Sequence, residues 1–433
     1  MPVTITIFWV MAILLLAQTG AVLYGTFYFL RYLRRSRSRP LNNFTPPVAL
    51  IIACKGLEPE FEANVSSYLC QDYPHYQVIF TVASVDDPAY HALRTRLERV
   101  SDNTQDQRKD EETVGPKERS PRYGASKDEP NDRVQTALVV AGHSELRGEK
   151  AQNLLQGLKA VDAEAEVLAF ADIDARPGRE WLRSLVAPLQ DPAVTVSSGA
   201  AWNLPGSGFG SRVRTAWDAM NVTQLGDHDY NHAWGVSMAV RGIDFKRMGV
   251  AERYWANAVS VDDTLTHAVH QAGGRIRFEP RCIVACPGEV KFGEFLRCSN
   301  RQMTKERVNW PGLWWAGAAI YVFSLGTTLL GLIMLALPSI PARQRLLMAG
   351  TLLVILLLVM SKGFIHEAIA KELFPEEAPT LNRYGACYWQ LSLLLPWVVL
   401  LNYLHSSLTR RIEWRGTYYE LKSLNEIRVI RRE

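Results

Sequence analysis

The 433-residue chain has few cysteines and almost no excess of charge of either sign. Its six cysteines form no Cys-x-x-Cys pair, and no second pair or histidine completes a zinc set around Cys282 and Cys286. We therefore expect reduced thiols in a cytoplasmic domain rather than a metal or disulfide framework. The net charge of +4 is too small to indicate a nucleic-acid partner.

Charged residues are also missing from long apolar stretches near both ends of the chain. Residues 5–30 are uncharged and long enough to cross roughly 30 Å of hydrocarbon as a helix. No basic residue precedes them, whereas an arginine-rich segment follows from Arg31 to Arg39. This asymmetry predicts an uncleaved N-terminal transmembrane anchor whose C-terminal end lies in the cytoplasm.

Three further apolar runs lie at Trp314–Leu337, Leu346–Ser361 and Tyr388–Leu404. If all four runs crossed the bilayer, the basic tail at residues 410–433 would lie opposite the preceding domain. Basic segments usually stay cytoplasmic, so we predict that one run within residues 313–409 is re-entrant or interfacial. The sequence does not indicate which one.

Residues 46–290 alternate short apolar strands with helical patterns, which predicts an α/β fold with a mostly parallel sheet. The predicted strands are Val48–Ala53, Gln77–Ala83, Leu138–Ala141 and Val167–Ala171. Ligands of such sheets bind at the carboxyl ends of the strands. Residues 101–133 are rich in charges of both signs and are interpreted as a disordered surface insertion.

Acidic pairs follow two of these strands and open a helical pattern. The pairs are Asp86 with Asp87, Asp172 with Asp174, and Asp262 with Asp263. Carboxylates at a strand end suit Mg²⁺ or Mn²⁺ together with substrate phosphates, and a carboxylate at a helix start can act as a general base. Each pair also has a structural interpretation as a turn or a helix cap. Three such pairs together favour a functional site.

Two polar segments complete the candidate site. Lys150 can neutralise a phosphate and Asn153 can bond a base or ribose, although both also fit a solvated helix face. Arg301 and Gln302 lie within residues 291–312, an amphipathic segment that runs into Trp310 and is predicted to lie at the membrane interface. The arginine also suits contact with lipid headgroups.

The order of these features resembles the inverting membrane glycosyltransferases with the GT-A fold. It is similar to glycosyltransferase family 2 broadly, and more closely to ceramide glucosyltransferases and related hopanoid-associated enzymes. The resemblance rests on short motifs spread over residues 50–420: Lys55-Gly56-Leu57-Glu58-Pro59, Gln71-Asp72-Tyr73-Pro74, Asp86-Asp87-Pro88-Ala89, Lys150 with Asn153, Asp172, Gly235 with Ser237, Asp263, and Trp414-Arg415-Gly416 with Tyr419.

The resemblance implies transfer of a sugar from a UDP-sugar, with UDP-glucose favoured, to a membrane lipid hydroxyl such as that of ceramide, giving a β-linked glycolipid. It implies that Asp263 is the catalytic base and that Asp172 and Asp174 hold Mg²⁺ or Mn²⁺. The nucleotide-sugar-binding residues it implies are Lys55, Asp86, Asp87, Lys150, Asn153, Asp172, Arg301 and Gln302. On the acceptor side it implies Gly235, Ser237 and Asp262.

The sequence departs from the family pattern at three positions. Ser84 stands where a further aspartate is expected, Gln302 replaces the tryptophan of the (Gln/Arg)-x-x-Arg-Trp signature, and Cys298 fills its first position. Two other interpretations stay open. One is a processive polysaccharide synthase, which would make a polymer. The other is a non-catalytic membrane protein whose GT-A domain binds a nucleotide.

Overall fold

The computed structural model describes residues 2–57, 60–99 and 134–432, so the insertion predicted at 101–133 lies outside it. Two sheets are present in these ranges. The strands are β1 (Val48–Ala53), β2 (Tyr76–Val82), β3 (Gln135–Val140), β4 (Val167–Asp172), β5 (Val194–Asn203), β6 (Ser237–Arg241) and β7 (Arg275–Cys286) in the central sheet, and β8 (Arg411–Trp414), β9 (Thr417–Ser423) and β10 (Glu426–Arg432) in the second.

Helices cover the central sheet and form the apolar ends of the chain. They are α1 (Pro2–Ser38), α2 (Phe61–Leu69), α3 (residues 88–99), α4 (Glu149–Gly157), α5 (Trp181–Val186), α6 (Phe209–Val222), α7 (Gly242–Met248), α8 (Val261–Gln271), α9 (Phe292–Asn309), α10 (Pro311–Ala336), α11 (Ala342–Leu373), α12 (Ala378–Tyr384), α13 (Cys387–Gln390) and α14 (Leu395–Leu408).

The central sheet has the strand order β3-β2-β1-β4-β6-β5-β7. Strands β1 to β4 are parallel, whereas β6 is antiparallel to β4 and β5. Alternate residues of β1 enter two apolar cores: Leu50 packs with α2 and α5, and Ile51 packs with α4 and α8 on the opposite face. The mostly parallel α/β sheet is confirmed. Strands β1, β2 and β4 are buried on both faces, as strands of parallel sheets usually are, whereas the edge strand β3 is partly exposed.

Within the described ranges, three helices, α1, α10 and α11, are long and apolar enough to cross a membrane. A fourth candidate is the pair Cys387–Leu393 and Leu395–Leu408, which is bent by 59°. The middle C-terminal apolar run, Leu346–Ser361, is only part of α11. This helix has 32 residues because it continues past the charged residues at both ends of the run. Near its C-terminal end, Glu372 Oε2 lies 2.8 Å from Arg34 Nε of α1.

The bent pair packs against α9 and the start of α10 through polar contacts. Asn402 Nδ2 donates to Ser299 Oγ at 3.0 Å and to Asn300 Oδ1 at 2.7 Å, and Trp314 Nε1 donates to Ser406 Oγ at 3.0 Å. The segment predicted as interfacial is therefore a helix held between the sheet domain and α14.

The C-terminal tail, which the sequence predicts only as a basic segment, forms the second sheet. Ile412, Tyr419 and Leu421 make a small apolar core with Val259, which lies shortly before α8. The tail is thus attached to the sheet domain next to the start of α8.

Candidate active site

The site lies where the carboxyl ends of β1, β2 and β4 meet. Ala53, at the end of β1, is paired with both Thr81 of β2 and Asp172 of β4, so residues after these strands lie at one edge. The antiparallel β6 begins at the same edge, because Ser237 pairs with Ala171. The chain therefore gathers Lys55, Asp87, Asp172 and Gly235 in one place, as the parallel topology requires.

The first half of the site, here called the donor end, centres on Asp172. Lys150 on α4 forms an ion pair with Asp172 Oδ1 and donates to the carbonyl oxygen of Gly235 at 3.1 Å. A Cβ at position 235 would lie 2.8 Å from Lys150 Nζ, so a side chain there would require the Lys150 ammonium to shift. Burial raises the pKa of Asp172, and Asp174 adds to this effect while Lys150 opposes it.

Asp174 is also paired with a cation, which comes from the second sheet. Arg415 Nη2 lies 3.3 Å from Asp174 Oδ2, and Arg415 Nη1 donates to the carbonyl oxygen of Lys55 at 2.7 Å. The Lys55 ammonium in turn lies 2.9 Å from Glu149 Oε2 on α4. Both carboxylates of the Asp-x-Asp motif thus have a basic partner.

The second half, here called the base end, is a hydrogen-bonded network at the start of α8. The Ser260 hydroxyl lies 2.5 Å from Asp262 Oδ1 and 2.7 Å from Asp263 Oδ2. Asp263 Oδ2 also accepts from Asn309 Nδ2 at 2.9 Å and lies 3.6 Å from Lys305 Nζ. The Asp263 carboxylate is therefore fixed through one oxygen by groups from α8 and α9.

Lys305 sets the electrostatics of this network from a nearly buried position on α9. Burial opposes its charge, but Asp262 and Asp263 outweigh burial and raise the pKa of Lys305. Burial likewise opposes the charge of Asp262, and Lys305 and Lys150 more than compensate, so they lower its pKa well below the usual range. Asp262 Oδ2 lies 3.4 Å from the Gly235 amide nitrogen and so links the base end to the donor end.

The pair after β2 is arranged differently. Asp87 Oδ1 accepts from the backbone nitrogens of Gly56 at 2.8 Å and Ala89 at 2.9 Å, so it caps α3 and fixes the loop after β1. Asp86 is exposed, and its carboxylate accepts from Ser84 Oγ at 3.2 Å. The family resemblance implies a further aspartate at position 84. Ser84 instead stabilises the turn that contains Asp86.

Asn153 lies one turn after Lys150 on α4 and is almost completely buried. Its Oδ1 atom is buried and has no hydrogen-bond partner within residues 2–57, 60–99 and 134–432. Buried polar atoms are normally paired. Because this atom is closed to solvent, a ligand would reach it only after a rearrangement of the surrounding side chains.

Arg301 and Gln302 lie on α9, and Arg301 contacts the second sheet. The Arg301 guanidinium stacks over the Trp414 ring at 5.0 Å, and Lys305 Nζ lies 5.9 Å from the same ring. Position 302 carries no tryptophan, but an indole from β8 is present beside Arg301. Cation–π contacts of this kind fix the guanidinium orientation.

One predicted acceptor-side residue is not at the site. Ser237 is fully buried, and its hydroxyl accepts from Trp181 Nε1 at 2.9 Å in the core beneath the sheet edge. Gly235, two residues earlier, does face the site. Ser237 is the first residue of β6, and its side chain points into the core. Gly235 lies in the loop before β6, at the edge of the sheet where the site is.

Several site residues are missing from the sequence prediction: Ser260, Lys305, Asn309 and Arg415. The last belongs to the Trp-Arg-Gly motif, which carries no assigned role in the family resemblance. The other three become recognisable only when α9 is placed across the start of α8.

Asp172 and Asp174 fit Mg²⁺ or Mn²⁺ in the chemistry of their oxygen atoms. No cluster of three or more metal-binding side chains occurs in the part of the chain that the structure describes. Two carboxylates are sufficient where substrate phosphates and water complete the coordination, which is the usual arrangement for Mg²⁺. A metal ion would have to compete with Lys150 and Arg415 for these oxygens.

Comparisons with known proteins identify the family of the chain. The sequence profile of glycosyl transferase family 21 matches residues 12–104 and 130–427. A ceramide glucosyltransferase of Komagataella phaffii is 30% identical over 84 residues, which are 19% of this chain and 16% of that protein. The chain therefore matches less than a fifth of the length of this curated relative.

Two solved structures are similar over larger parts of the chain. A mannosyltransferase from Pyrobaculum calidifontis in complex with GDP-Man and Mn²⁺ aligns with a TM-score of 0.45 and 15% identity, covering 93% of this chain and 98% of that one. Glucosyl-3-phosphoglycerate synthase from Mycobacterium tuberculosis aligns with a TM-score of 0.35 and 11% identity, covering 64% and 81%.

Proposed function

Since this chain belongs to glycosyl transferase family 21, we propose that it transfers a hexose from a UDP-sugar, with UDP-glucose favoured, to the hydroxyl of a membrane lipid such as ceramide. The observation that carries this proposal is the continuous polar path from Asp172 through Lys150, Gly235 and Asp262 to Asp263. Such a path would place a diphosphate-binding end and a base end at one edge of the sheet.

At the donor end, Lys150 is the ammonium group closest to the Asp-x-Asp carboxylates and would bind a diphosphate oxygen. Asn153 would bond the ribose or base after a rearrangement that opens its buried Oδ1 atom. When bound between Asp172 and Asp174, Mg²⁺ or Mn²⁺ would offset the charge of the departing UDP. Arg301 and Gln302 would contact the diphosphate or the acceptor from α9.

At the base end, Asp263 would take the proton of the lipid hydroxyl as that oxygen attacks the anomeric carbon. Asn309, Ser260 and Lys305 hold Oδ2, so Oδ1 is the oxygen that we expect to face the acceptor. Lys305 places a positive charge 3.6 Å from Oδ2 of this carboxylate. A single displacement of UDP inverts the anomeric centre, so an α-linked donor gives a β-glycoside.

The helices support a lipid acceptor, because α9 connects the base end directly to α10. We further propose that α1, α10 and α11 cross the membrane and that the bent pair is the re-entrant run. This arrangement returns the chain to the side of the sheet domain, where the second sheet is attached. It places the active site and the tail on the cytoplasmic face.

Protease accessibility tests this orientation. A cleavage site placed after Arg432 should be protected in sealed right-side-out vesicles and cleaved in inverted ones. Cleavage from the outer face of sealed cells would contradict the arrangement.

The activity is tested with detergent-purified protein, Mn²⁺ or Mg²⁺, radiolabelled UDP-sugars and a mixed lipid extract. We expect metal-dependent label in the organic phase, carried by a lipid with one added sugar. Label that remained in water as a long polymer would instead support a processive synthase. Binding of UDP without transfer or hydrolysis of any donor would support the non-catalytic interpretation.

A further inference from the structure

The hairpin between β8 and β9 brings a cation to the donor end that no part of the proposed mechanism uses. Arg415 contacts Asp174 Oδ2 at 3.3 Å and the Lys55 carbonyl oxygen at 2.7 Å, although it lies far from both in sequence. We infer that Arg415 is a diphosphate-binding residue that holds Asp174 before ligands arrive and exchanges it for the nucleotide diphosphate when metal and donor bind. This inference rests on the proposed function.

The backbone at Arg415 supports a functional reason for an arginine there. Trp414 pairs with Thr417, so Arg415 and Gly416 form a two-residue hairpin loop, with φ of 48° and 79°. Such loops favour asparagine, aspartate or glycine at the first position, because other residues are strained at positive φ. Among the described residues, Arg415 is the single non-glycine residue with positive φ. A long cationic side chain in this position indicates that the guanidinium is needed.

The second sheet is fixed on several sides, so the hairpin is positioned rather than loose. Tyr419 OH accepts from the Glu149 backbone nitrogen at 3.3 Å, one residue before Lys150. Trp414 packs beneath Arg301 and Lys305 of α9. The same small sheet thus contacts the helix that carries Lys150 and the helix that carries Arg301, so the hairpin that contains Arg415 is held from two sides.

The charge balance explains the proposed exchange. Lys150 pairs with Asp172 and Arg415 pairs with Asp174, so each carboxylate has its own cation. A divalent ion that binds both carboxylates would replace these contacts and leave Arg415 next to a doubly ionised diphosphate. Arginine binds phosphate oxygens with paired N–H groups, which makes this new partner favourable.

The exchange predicts effects of opposite sign on two binding equilibria. In Arg415→Gly the turn is relaxed and the guanidinium is lost. With saturating Mn²⁺, the dissociation constant of UDP measured by calorimetry should rise about tenfold, the usual effect of losing a charge-assisted hydrogen bond. Without nucleotide, Mn²⁺ alone should bind about two- to fivefold more tightly, because Asp174 no longer has to leave an exposed ion pair. Binding of Mn²⁺ is measured from the electron paramagnetic resonance signal of the free ion.

Two further variants separate charge from structure. Arg415→Lys keeps the cation and should recover part of the UDP affinity, whereas Arg428→Gln, an exposed arginine on β10, should leave both constants unchanged. Equal UDP and Mn²⁺ affinities in wild type and Arg415→Gly would overturn the inference and leave the proposed function standing. Weaker binding of both ligands would also overturn it, since that result indicates a structural role alone. If wild-type protein bound no UDP with Mn²⁺, the proposed function and the inference would both fail.

Discussion

The two ends of the active site hold their carboxylates in different ways. At the donor end, Asp172 and Asp174 follow a strand, and each is paired with one basic side chain from another element. Their side chains are 32% and 44% exposed. At the base end, Asp263 is 23% exposed and has contacts with Ser260, Lys305 and Asn309 on a single oxygen.

This difference suits two different roles, ligand binding and proton transfer. The Arg415–Asp174 ion pair is partly exposed, and such pairs contribute little free energy and are easily replaced, which suits a site that takes up a metal and a diphosphate. A carboxylate held by several hydrogen bonds is already oriented before substrate arrives, which benefits a proton transfer that depends on geometry. Substitutions at the two ends should therefore separate binding from chemistry.

The largest effect is expected at the base end. Asp263→Asn keeps the size of the side chain and removes its basicity, so lipid labelling should fall by about 10²- to 10⁴-fold. UDP affinity should stay close to wild type, because the donor end is unchanged. The matched control is Asp162→Asn, an aspartate in the loop before β4 at the other edge of the sheet. Near-normal turnover of Asp263→Asn would remove this residue as the base.

Asp172→Asn should act mainly on binding. The variant weakens the metal site and leaves Lys150 without its ion-pair partner, so we expect at least about a tenfold rise in the UDP dissociation constant with Mn²⁺. The measurement is calorimetric titration of UDP with and without the metal. A variant that lost turnover but bound UDP and Mn²⁺ normally would contradict the division between the two ends.

The loop before β6 offers a smaller and more local test. Gly235→Ala places a methyl group against Lys150 Nζ and should weaken UDP binding a few-fold. Ser237→Ala should leave UDP affinity unchanged and lower stability by about 1 kcal/mol, because Trp181 loses its hydrogen bond. Calorimetry and thermal denaturation distinguish the two variants, and a loss of acceptor turnover in Ser237→Ala alone would contradict its core position.

The smallest effect concerns Glu306, which lies on α9 near the base end. Burial, together with Asp263, raises the pKa of Glu306 to about 7. The ordinary pKa of a glutamate is about 4.3. Between about pH 4 and pH 7 the folded state therefore binds one more proton at Glu306 than the unfolded state does. The free energy of unfolding should fall as pH rises through this range. Glu306→Gln should therefore gain denaturation temperature over wild type at pH 8 and not at pH 4. An equal difference in denaturation temperature between the variant and wild type at both pH values would contradict the raised pKa of Glu306.

Much of the donor end can be predicted from sequence. The strands before Asp87 and Asp172 are continuous apolar runs, and parallel topology brings residues that follow such strands to one edge. The membrane helices are equally visible, because uncharged runs of this length are typical of helices that cross a bilayer. The mostly parallel sheet and the apolar helices follow from these local patterns.

The rest depends on contacts between distant segments. Lys305 and Asn309 look like ordinary polar residues of an amphipathic helix until α9 is packed against α8. The Ser237 hydroxyl matches the family pattern but turns into the core, which only the register of β6 with β4 reveals. The tail has the composition of a basic segment, and its attachment beside Val259 depends on a few apolar residues spaced along two short strands.

The anomeric configuration of the glycolipid product tests the central claim most directly. If Asp263 acts as a general base in a single displacement, nuclear magnetic resonance of the product made from an α-linked UDP-sugar should show a β-linkage. An α-linked product would require a second displacement or a different mechanism, and it would contradict the role proposed for the base end.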